Sequence, residues 1–106
     1  MSYPKLVRDR IPEIIRADGK TPRTRIVDGD EKKTMLKTKL AEEAKEASES
    51  QNVESLTEEL ADVYEVLQAI QRAYDIDMSR INDIKKKKWD ERGGFEQGIV
   101  LEAIDD

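Results

Sequence analysis

A chain of 106 residues, 41% of them charged, has room for one small domain, and a domain of that size often completes its apolar burial against a partner subunit. Lys and Arg number 19 against 24 Asp and Glu, a net charge of -5, which leaves no general positive field for a nucleic-acid polymer; the absence of cysteine and histidine excludes disulfides, thiolate nucleophiles, imidazole bases and the usual zinc ligand sets. No apolar run approaches the roughly 18 residues of a membrane span, and the amino terminus has no signal-peptide core, so a cytoplasmic protein without a membrane partner is expected.

The opening "SYPKLVRDRIPEIIRADGK" predicts a lead-in followed by a helix from Ile11 to Asp18, with Pro12 in its first turn and Gly19 at its stop. "RTRIVDGD" alternates briefly and ends in turn residues, which predicts a short strand over Thr24 to Val27. Asp28 or Asp30 can cap a long helix from Glu31 to Ser50, and Asn52 can cap a second from Val53 to Tyr74. A fourth helix follows Asp77 through "MSRINDIKKKKWDER", with Gly93 and Gly94 to end it. The tail "GIVLEAI" is β-branched enough to form a strand against "TRIV". The expected fold is an all-α bundle built on two long helices, with shorter helices and a small two-stranded β appendage, in a single domain spanning 1–106. "DIDMS" resembles the start of a calcium loop but has Arg80 where the loop needs glycine and Lys86 where it needs glutamate.

Helical geometry decides where the abundant carboxylates point. At about 100° per residue, Leu36, Leu40, Ala44 and Ala47 share an arc of roughly 80°, with Glu43 at its edge and Lys39 and Glu46 further round. In the next helix Leu56, Leu60, Val63, Tyr64, Val66, Leu67 and Ile70 form a stripe about 160° wide, and Glu59 falls inside it with Asp62 just off its edge. A carboxylate inside a bundle costs several kcal/mol unless a cation compensates it. Glu43 with Glu46, and Glu59 with Asp62, each place two carboxylates on one helical face, so antiparallel packing brings four acids together. Hard oxygen donors of this kind favour Mg²⁺ or Mn²⁺; pairing of Glu59 with a Lys or Arg is the plainer alternative. A di-iron carboxylate bundle needs histidine, which the chain lacks.

"EEAKE" at 42–46, a gap of twelve residues, and "ELAD" at 59–62 resemble the E-E-x-x-E, spacer, E-x-x-D signature of the all-α nucleoside triphosphate pyrophosphohydrolases. With "KLVRDRIPEII" before and "ERGGFEQGIVL" after, nearly the whole chain is similar to the short MazG-like proteins of that superfamily, which also contains phosphoribosyl-ATP pyrophosphohydrolase. The resemblance implies Mg²⁺-dependent cleavage of a nucleotide between its α- and β-phosphates, giving a monophosphate and pyrophosphate. It implies Glu43, Glu46, Glu59 and Asp62 as metal ligands. It leaves the nucleotide open.

Beyond the motif, Lys85, Lys88 and Arg92 fall within about 60° on the last helix, on the same half as Ile81, Ile84 and Trp89. With Lys39 beside the acidic motif, these cations are candidates to meet phosphate oxygens, and Phe95 is a candidate to reach a nucleobase. An internal salt-bridge network with Glu43 or Glu59 is the alternative for the basic stripe. Lys5, Arg8 and Arg10 read as surface cations, and Trp89, Tyr64 and Tyr74 as core or interface residues. Glu42, Glu58 and Glu65 are the candidate proton acceptors for the attacking water. The expected partners are a nucleotide substrate and a second or further copies of the chain. The rival functions are a dedicated phosphoribosyl-ATP hydrolase and a non-catalytic helical interaction module.

Overall fold

The computed structural model describes residues 3–105, and among them all regular structure is helical: α1 (Ile11–Ala17), α2 (Gly29–Ser48), α3 (Val53–Ala73) and α4 (Met78–Arg92). Two compact units divide the chain, Met1–Asp75 and Ile76–Asp106.

The first unit is organised by α2 and α3, which pack against each other after the short connection 49–52 and therefore run antiparallel. Asn52 starts α3, its Oδ1 accepting the Ser55 amide at 2.8 Å and so satisfying one of the orphan donors of the first turn. At the opposite end, the Tyr74 ring lies 5.0 Å from both Lys33 Nζ and Lys37 Nζ, so two cations of α2 face the ring that follows α3. The core between the helices is small: Leu36 and Val66 are the buried apolar side chains among the described residues. Each contributes about 1.5–3 kcal/mol at full burial. The half of the α3 stripe turned away from α2 stays open, with Leu60 43% and Tyr64 66% exposed beside Leu56 and Leu67.

In the second unit Asp77 caps α4, its Oδ1 accepting the Ser79 amide at 3.1 Å. Gly93 follows the helix at φ 79°, a left-handed backbone that favours glycine. Gly94 lies against the Trp89 indole, where a Cβ would overlap the ring.

The two expected strands are a correction. Thr24 to Val27 and the tail "GIVLEAI" carry no strand hydrogen bonding. The first segment is instead tied to α2, with Arg25 Nη2 donating to Glu31 Oε2 at 2.7 Å, and its Ile26 is almost fully exposed. A β-branched run extends readily, but without a ladder partner extension is not a sheet. No helix among the described residues is long and apolar enough to cross a membrane.

Candidate metal centre

Because α2 and α3 are antiparallel and closely joined, positions equally distant from the connection face each other, and the acidic motif straddles it. Glu43, Glu46 and Glu59 each bring a carboxylate oxygen to within 4.8 Å of the others. Glu43 is the most buried of the three, 8% exposed, and only it and the apolar pair Leu36 and Val66 are buried among the described residues. Glu59 is half-buried and Glu46 exposed, so the cluster runs from the interior to the surface.

Glu43 lies deeper than the apolar pattern of α2 places it. The buried side of the helix passes through Leu36, Lys39, Leu40, Glu43 and Ala47, while Ala44 is exposed, so the buried arc is centred about one residue round from the apolar one. Ala44 offers little area to bury, whereas the Lys39 side chain is only 18% exposed and its long apolar stem lies on the buried side.

The charges around Glu43 are not balanced. Lys39 Nζ stands 3.4 Å from Glu43 Oε1 and 3.6 Å from Glu42 Oε2, one ammonium shared by two carboxylates. Glu43 Oε2 and Glu59 Oε2 are both buried with no hydrogen-bond partner. Burial, then the neighbouring Glu46 charge, raises the Glu43 carboxyl above its ordinary value, against the opposing hydrogen bond from Lys39, with Asp62 adding to the rise. Two orphaned carboxylate oxygens beside a third acid form an acceptor set that a divalent cation satisfies and that one lysine does not. The donor set fits a hard cation.

Asp62 stands apart from the cluster. Arg8 Nη2 donates to Asp62 Oδ1 at 2.6 Å, which ties the segment before α1 to α3. Sequence spacing does not reveal this pair, 54 residues apart, and Arg8 read as a surface cation. Among the candidate proton acceptors, Glu42 shares Lys39 with Glu43, Glu58 is exposed, and Glu65 lies 3.6 Å from Arg72 Nη2. Lys85, Lys88 and Arg92 are exposed on α4, and Phe95 beyond it is 97% exposed; all four belong to the second unit. Lys39 is thus the one expected substrate contact that the first unit places directly at the acids.

No family model and no solved structure matches the chain. An uncharacterised protein of Mycolicibacterium smegmatis (strain ATCC 700084 / mc(2)155) is 55% identical over 42 residues, which cover 40% of this chain and 43% of that protein. The similarity therefore spans less than half of either sequence.

Proposed function

We propose that the protein is a divalent-metal-dependent nucleotide pyrophosphohydrolase, cleaving a nucleoside triphosphate or related nucleotide between its α- and β-phosphates. One observation carries this reading: Glu43 and Glu59 each hold a buried carboxylate oxygen without a partner, in a cluster completed by Glu46. The motif spacing set out above supports it.

Glu43, Glu46 and Glu59 would hold Mg²⁺ or Mn²⁺, with Asp62 as fourth ligand when Arg8 releases it. When bound, the ion supplies charge neutralisation at phosphate oxygens and acidifies a water. The chain's own residues do the rest. Lys39, already between Glu42 and Glu43, offers its ammonium to a phosphate oxygen. Glu42 is the preferred acceptor for the proton of the attacking water, because it sits beside the cluster through Lys39; Glu58 and Glu65 are the reserves.

A second copy of the chain belongs to the same proposal, packed on the exposed apolar half of α3 in a cytoplasmic homo-oligomer. The exposure of Leu60 and Tyr64 in an otherwise highly charged chain favours it.

The test is a nucleotide panel with Mg²⁺. Pyrophosphate and monophosphate are expected, and in ¹⁸O-labelled water the label should enter the monophosphate. Orthophosphate with a diphosphate would overturn the reaction, and no dependence on divalent metal would leave a helical interaction module as the better account. Phosphoribosyl-ATP belongs in the panel, since a dedicated hydrolase of that compound differs from this reading only in substrate.

A further inference from the structure

The segment before α1 and one flank of α2 line an open cavity of about 190 Å³, and its lining includes Lys39 and Glu42. Pro4, Leu6 and Met35 give it apolar surface, while Lys5 contributes a cation. Lys39 therefore belongs to two places at once: it lines the cavity, and its ammonium stands 3.4 Å from the buried carboxylate of Glu43. A ligand filling the cavity lies one side chain away from the acidic cluster.

Size and chemistry narrow what that ligand is. The space is about six times a water's share of liquid volume, ~30 Å³, yet below the ~300–1,000 Å³ of sites that enclose a whole drug-sized ligand. It takes part of a nucleotide. Apolar surface from Pro4, Leu6 and Met35 suits a planar ring and offers nothing to a polyphosphate. Thr38, also in the lining, donates its hydroxyl to the Thr34 carbonyl at 3.2 Å and keeps its oxygen free to accept.

We propose that this cavity is the nucleoside subsite, holding the base and sugar of a nucleotide whose phosphates extend past Lys39 to Glu43, Glu46 and Glu59; the proposal rests on the nucleotide reading of the acidic cluster. Substrate choice is then set by the segment Pro4–Leu6 and by α2, while the acids treat every nucleotide alike.

The experiment measures binding, not turnover. The four α,β-methylene ribonucleoside triphosphates, which resist cleavage between the α- and β-phosphates, are titrated with Mg²⁺ against inorganic tripolyphosphate, which has phosphates and no nucleoside. In the unaltered protein the best nucleotide should bind about ten-fold or more tightly than tripolyphosphate. Thr38→Phe, at an exposed position of the lining, should erase that advantage and leave tripolyphosphate binding within about two-fold. Met35→Trp fills the same space from another side and guards against misfolding of the first variant, with circular dichroism to establish the helices of each. Absence of any advantage in the unaltered protein, or its survival in both folded variants, overturns the subsite. Failure of the hydrolase reading looks different: nucleotide binds with the cavity-dependent advantage, yet no pyrophosphate is released from ordinary triphosphates.

Discussion

The two faces of α3 invert the usual arrangement of a small domain. Toward α2 the helix joins a cluster of acids in which Glu43 is nearly excluded from water; on its other side Leu60 and Tyr64 lie open to it. Charge inside and apolar surface outside are each costly for a monomer standing alone, so each face calls for something that completes it. On the reading proposed above, the inner face takes a cation and the outer a partner surface. Burial of Glu43 and exposure of Leu60 and Tyr64 both run against the stability of the unit taken alone.

The inner face is the one to break first. Glu43→Gln, Glu46→Gln or Glu59→Gln should each lower pyrophosphate release by about a thousand-fold, in line with the several kcal/mol that a metal supplies to a transition state, while circular dichroism stays unchanged. Glu49→Gln, in the connection, should leave the rate within two-fold. Retention of activity in Glu43→Gln would remove the deepest acid from the chemistry.

On the outer face, Leu60→Glu together with Tyr64→Glu should convert an oligomer into a monomer by light scattering, because the two charges replace exposed apolar side chains. Both side chains are exposed, so the monomer should stay helical. A protein already monomeric before substitution would assign the stripe no partner copy.

Stability sharpens the contrast further. Replacing Glu43 by Leu removes an unbalanced buried charge and should raise metal-free stability by about 1–3 kcal/mol, a few degrees in Tm, while abolishing any metal-induced rise in Tm. A lower metal-free Tm would mean that Lys39 already compensates Glu43 in full.

The smallest effect is a pH dependence of the metal-free protein. Burial and Glu46 raise the Glu43 carboxyl, so the folded chain holds that proton to higher pH than the unfolded chain does. The associated stability is complete below the unfolded carboxylate range and is lost as pH rises through the raised folded value. Denaturant titrations should show this slope in the unaltered protein and its loss in Glu43→Gln.

What the sequence revealed divides along physical lines. Asn52 and Asp77 are legible as caps because capping is local, one side chain meeting an amide two or three residues on. The convergence of Glu43, Glu46 and Glu59 is legible because helical period and a short connection fix which positions meet. The depth of Glu43 is less so, since the buried arc of α2 is displaced by about one residue from its apolar arc. Arg8 with Asp62 is invisible to spacing, being a tertiary pair between an irregular segment and a helix. The strands do not form because β-branched composition favours extension and says nothing of a pairing partner.

The short connection 49–52 has a kinetic consequence. It sets Glu43 and Glu46 against Glu59 across few intervening residues, so closing that contact costs little chain entropy and hairpin formation can precede the rest of folding. The same closure drives three like charges together at an early stage, and the barrier therefore carries the repulsion that the native state later offsets. Millimolar Mg²⁺ should then speed refolding as well as retard unfolding, and Glu46→Gln should speed refolding with no metal present: the clustered acids would be a brake on the hairpin's formation.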